Sequence, residues 1–101
     1  MKVTEGKSSI HGKGLFSKQS IAVGEHVGRF EGRRVAEDGI HVLWHQEDDG
    51  EWVGLEVDNI LKYANHSNEP NVEVVGRDMY ALKDIEKGAE ITFHYGEEWE
   101  D

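Results

Sequence analysis

Apolar positions fall in short runs separated by scattered glycines, and a single proline, Pro70, interrupts the chain. This pattern predicts strands and turns rather than helices. Residues 42–57 read as a hairpin, with Val42-Leu43-Trp44 and Trp52-Val53 flanking a two-residue Asp49-Gly50 loop of type I′. Residues 71–83 read as a second hairpin: Val72, Val74 and Val75 precede Gly76-Arg77-Asp78, and Met79 to Leu82 follow. Only residues 58–63 read as a helical turn, capped by Asp58.

The pattern also repeats. Leu15-Phe16, Ile21, Gly24, Val27 and Gly32 match Met79-Tyr80, Ile85, Gly88, Ile91 and Gly96 at a constant offset of 64. Each copy is strand, turn, strand and glycine, as expected of two similar units packed about a pseudo-twofold axis with a cleft between them.

At 101 residues the chain is sized for one domain, 1–101. It has no cysteine, which excludes disulfides and thiolate metal sites. No apolar run is long enough for a membrane span, and no apolar h-region follows Met1. An intracellular protein, cytoplasmic or nuclear, is expected. The net charge of −10 argues against nucleic acid and for a basic protein or peptide partner, although an acidic surface also serves solubility alone.

Three segments carry candidate chemistry. Gly12-Lys13-Gly14 precedes an apolar strand and would let backbone groups approach a ligand closely, but it lacks the form of a nucleotide-binding fingerprint. Asn65-His66 combines an amide and an imidazole, suited to a ligand bearing an amine and an adenine edge. Phe93 and Tyr95, two apart on a strand, would share a face and set a phenol beside an aromatic wall. His41 and His45 are four apart on a β pattern, about 13 Å by strand rise, so no metal site is expected. Taken singly, the three segments also have plain readings: a turn, an Asx-turn with a structural histidine, and two core aromatics.

Taken in order, these segments resemble the SET-domain protein-lysine methyltransferases. Gly12 to Phe16, Arg29-Phe30-Glu31-Gly32, Tyr63 to Asn71 and Gly88 to Gly96 are similar to four successive family motifs. The resemblance implies a mainly β fold, a β-clip of small sheets with a knot-like C-terminal crossing and one short helical turn. It implies S-adenosylmethionine as cofactor, held around Gly12, Lys13, Gly14, Asn65 and His66 with Trp99 against the adenine. Tyr95 would be the catalytic tyrosine. Phe93 and Tyr95 would line the lysine channel, and Phe93 would leave room for di- or trimethylation. The substrate would be a histone or histone-like protein, added as a strand beside residues 42–57 and attracted by Glu47, Asp48 and Asp49. The chain departs from the family pattern at Arg29, Phe30, Asn68 and His94, and it has no cysteine-rich flanking module. A catalytically silent module that binds a basic peptide, and an acidic mimic of nucleic acid, are the competing readings. The small size leaves homodimerisation open.

Overall fold

The computed structural model describes residues 2–39 and 41–95; the tail around Trp99, and Gly96 of the repeat, lie outside the described residues. Ten strands and one short 3-10 turn follow in order: β1 (Val3–Lys7), β2 (Lys13–Ser17), β3 (His26–Arg29), β4 (Gly32–Val35), β5 (Val42–Gln46), β6 (Trp52–Val57), the turn Ile60–Tyr63, β7 (Asn65–His66), β8 (Val72–Val75), β9 (Asp78–Ala81) and β10 (Glu90–Phe93). They form three small sheets, ordered β1-β2-β10-β7, β3-β9-β8 and β4-β6-β5. Inward side chains from all three meet in one core, with Leu15, Leu55, Met79 and Ile91 fully buried. The fold is mainly β, as the spacing of apolar residues predicts.

The internal repeat is a structural symmetry. Ile21 and Ile85 form an antiparallel bridge and exchange both backbone hydrogen bonds, at 2.9 and 2.8 Å. Around this pair the bonds recur at the same offset. The Gly24 N–H donates to Ala81 O and the Gly88 N–H to Ser17 O; the Ala81 N–H donates to Glu25 O and the Ser17 N–H to Ala89 O. Strand pairing follows suit, since β3 opposite β9 sets His26 against Tyr80 while β10 opposite β2 sets Glu90 against Phe16. Gly24 and Gly88 have φ of 82° and 89°, a left-handed conformation that a side chain would resist. Turn chemistry at two equivalent glycines thus generates two equivalent strand reversals.

The hairpins form over the expected ranges, but three local details differ. The β5–β6 connection is closed by a bond from the Glu47 N–H to Glu51 O, leaving a three-residue loop, Asp48-Asp49-Gly50, instead of two residues. Only Gly50 has positive φ, and a type I′ turn needs it at both central residues. Asp58 does not cap the short turn. Asn59 occupies the cap position, and its side chain donates instead to Arg29 O at 2.8 Å, tying the turn to the end of β3. Finally, β10 ends at Phe93, so Tyr95 lies just past the strand.

Candidate functional site

The glycine segment is held by one serine. Ser8 receives hydrogen bonds at Oγ from the N–H groups of Ile10 and His11, and its own N–H donates to Gly12 O. These bonds curl residues 8–13 into a compact loop. Oγ–H then donates to Glu90 Oε2 at 2.7 Å, anchoring the loop to β10. Asn65, only 8% exposed, completes the tie: its Nδ2 lies 3.0–3.2 Å from Ser8 Oγ, His11 O, Lys13 O and Glu90 Oε2. Gly14 is required beneath this cluster, because a Cβ there would sit 2.5 Å from Glu90 Oε2. Sequence reasoning did not assign Ser8 a role, and nothing in its spacing distinguishes it from other loop serines.

The short β7 runs parallel to β10, with Asn65 beside Thr92 and His66 beside Phe93. Asn71 extends the contact through its side chain, whose Oδ1 accepts from the Thr92 N–H and whose Nδ2 donates to Glu90 O. His66 Nδ1 accepts the Tyr95 N–H at 3.0 Å, so the ring proton resides on Nε2, which donates to Asn68 Oδ1 at 3.1 Å. The His66 ring nitrogens thus bond within the protein, as does the Asn65 amide N–H group. Asn65 Oδ1, by contrast, has no protein partner among the described residues, which leaves an acceptor for a ligand amine.

Tyr95 and Phe93 come together although only Phe93 is in the strand. Their ring centroids are 4.8 Å apart, and the Tyr95 ring is 5.2 Å from His66. The Tyr95 hydroxyl donates to Ala64 O at 2.8 Å. Tyr95 is 40% exposed, and partial desolvation of its phenol raises its pKa above the ordinary value, opposed by a hydrogen bond from the His66 backbone. The hydroxyl is therefore a fixed, protonated dipole at neutral pH. His94 stands edge-on to His66, with ring centroids 4.7 Å apart.

A cavity of about 1130 Å³ is lined by Gly12, Lys13, Asn65, His66, Phe93 and Tyr95, among others. Lys62 and Tyr63 also line it, and the ammonium groups of Lys13 and Lys62 each lie 5.3 Å from the Tyr63 ring centroid. A second cavity of about 460 Å³ runs between β5 and β8, and Leu43, Trp44, Phe93 and Tyr95 line both. Gly14 supports the site from below without lining either cavity. Glu47 faces Arg34 at 3.7 Å, and Asp48 and Asp49 occupy the hairpin tip; none of the three lines either of these two cavities. His41 lies just before β5, packed edge-on to Tyr63, while His45 is buried within the strand.

Small sheets clipped together around two cavities that meet at an aromatic pair define the fold class. A sequence model of the SET domain matches residues 12–96, and the chain belongs to the SET-domain family. The chain is 34% identical over 110 residues to human histone-lysine N-methyltransferase 2B, an alignment covering 88% of this chain and 4% of that protein. It is 29% identical to the Arabidopsis thaliana histone-lysine N-methyltransferase MEDEA, covering 93% of this chain and 16% of that protein. It thus spans less than a fifth of either relative. A Plasmodium falciparum protein solved as a candidate histone methyltransferase has the same fold, with a TM-score of 0.73 over 97% of this chain and 100% of that one, at 24% identity.

Proposed function

We propose that this chain methylates the side-chain amine of lysine in a basic protein, a histone or histone-like protein inside the cell, with S-adenosylmethionine as donor. The supporting observation is that Phe93 and Tyr95 line both cavities, so a molecule in one can meet a side chain entering from the other. The larger cavity's residues fit the cofactor: Asn65 Oδ1 is an open acceptor for its ammonium, Lys13 and Lys62 offer cations to its carboxylate, and at Gly12 a Cβ would meet nothing within 4 Å. Trp99, expected against the adenine, lies outside the described residues.

When bound, S-adenosylmethionine supplies an electrophilic methyl group on sulfur. The protein's part is alignment and water exclusion. Phe93, Leu43 and the Tyr95 ring form an apolar throat that disfavours an ammonium and favours the neutral, nucleophilic lysine amine. Tyr95 does not take the proton, because its phenol is already protonated and its pKa is raised. Its hydroxyl, fixed between Ala64 O and the His66 backbone, orients the reacting groups. The acidic balance of the chain attracts a Lys/Arg-rich substrate, with Glu47, Asp48 and Asp49 as its contacts at the hairpin tip.

Tyr95→Phe tests this reading. Methyl transfer to a basic peptide should fall at least about 100-fold, while S-adenosylmethionine affinity changes little. Unchanged transfer would remove Tyr95 from the mechanism, and no cofactor binding by the unmutated chain would favour a silent peptide-binding module.

A further inference from the structure

The face of the β4-β6-β5 sheet turned away from the core carries two exposed indoles. Trp52 is 66% exposed and Trp44 40%. Register sets their orientation. Trp44 is opposite Gly54 and Trp52 opposite Gln46, whereas the alternate pair Leu43–Leu55 points into the core. Trp44 lies across Gly54, where a Cβ would come within 3.0 Å of its ring, and its indole N–H donates to Asp38 Oδ1 at 3.2 Å. Both tryptophans line the smaller cavity together with Phe93 and Tyr95. That cavity is bordered by β5 and β8, each an edge strand of its sheet.

The geometry points to Trp44 and Trp52 as a subsite for a substrate arginine one or three residues from the target lysine. This rests on the reading of Phe93 and Tyr95 as the lysine channel. A segment extended beside β5 shares its pleat, so residues directly opposite each other point to the same face. A lysine opposite Leu43 enters on the core side, where Phe93 also packs. The substrate residues opposite Trp44 and Gln46, one and three positions along, then turn to the outer face. There they join the cross-strand rows that hold Trp44 and Trp52. Residues at even offsets point back toward the core.

Arginine is the side chain these rows favour. Its planar cation stacks on an indole face. Acidic groups border the site: Asp38 at Trp44, and Glu47, Asp48, Asp49 and Glu51 in the loop that leads into Trp52. Among the described residues, only Glu47 of these has a basic partner, Arg34, at a loose 3.7 Å. An acidic substrate residue at the same offset would be repelled.

The test uses the full chain and nine-residue peptides with one central lysine and a single arginine moved through every offset. Binding is read by fluorescence anisotropy, and methyl transfer from S-adenosylmethionine is measured separately. Arginine at an odd offset should tighten binding about three- to tenfold over even offsets. Trp52→Ala should remove most of that preference, and Trp52→Phe should retain it. A flat profile, an even-offset preference, or full preference in Trp52→Ala overturns the proposal. So does a concentration-dependent dimer abolished by Trp52→Ala without any arginine effect, which would assign the face to a second copy. Because binding is read without turnover, odd-offset binding with no methyl transfer sinks the enzymatic reading and keeps the subsite. Transfer with a flat profile does the reverse.

Discussion

Replacing Asn65 tests whether the amide is the tie that builds the glycine loop. Four oxygens lie within 3.2 Å of Nδ2, but the amide has two protons, so at most two strong bonds exist at once. One goes to a carboxylate, Glu90 Oε2 at 3.0 Å. Losing a hydrogen bond to a charged group costs about 1.5–3 kcal/mol and losing a neutral one about 0.5–1.5 kcal/mol. Asn65→Ala should therefore destabilise the chain by about 2–4 kcal/mol, a fall in Tm of roughly 10–25 °C for a domain of this size. Urea unfolding measures it. Asn65→Asp sharpens the test by setting a second carboxylate about 3.0 Å from Glu90. At neutral pH it should be less stable than the alanine variant. As pH falls the two acids share a proton: the folded-state pKa is raised above the unfolded value, so proton uptake favours the fold and the penalty is lifted. A cost below about 0.5 kcal/mol for alanine, or an aspartate variant that tracks alanine at every pH, would show that the amide is not the tie.

Three further outcomes follow from single residues. His45 is buried, its Nδ1 has no hydrogen-bond partner among the described residues, and desolvation, then Arg77, lower its pKa. The unfolded chain thus takes up a proton that the folded site rejects. Stability should drop as pH falls below about 6.5. His45→Leu should flatten that limb and be no less stable at pH 7; equal pH slopes would contradict this. Gly14→Ala drives a Cβ to 2.5 Å from Glu90 Oε2 and should cost about 1–3 kcal/mol by urea unfolding, whereas a neutral result would mean that Glu90 moves freely. On the proposed reading Phe93 lines the lysine channel and brings no hydroxyl to it, so mass spectrometry of methylated peptide should find two or three added methyl groups; a product halted at one would overturn that reading.

Turn chemistry and period-two patterning were readable from the chain alone, because they act over a few residues. The two hairpins and the repeated strand-turn-strand unit lie at that level, whereas the grouping of Gly12, Asn65, His66 and Tyr95 came only from the resemblance of their segments to successive SET-family motifs. Details that depend on local competition were not readable. Glu47 to Glu51 close a longer loop because Gly50 alone takes positive φ, and Asn59 displaces Asp58 at the cap while its side chain bonds to Arg29 O. The carboxylate beneath Gly14, the hub at Ser8 and the direction of the His66 ring nitrogens belong to the tertiary structure. Each depends on groups 25 to 82 residues apart meeting at hydrogen-bond distance. The meeting of two cavities at Phe93 and Tyr95 has the same origin: β10 must lie between β2 and β7 before the end of one strand can face both the glycine loop and the cleft between β5 and β8. Sequence spacing dictates which strands and turns form, but it carries no information about which distant strand each one pairs with. That choice is made by the shared core, whose packing is a property of the whole chain.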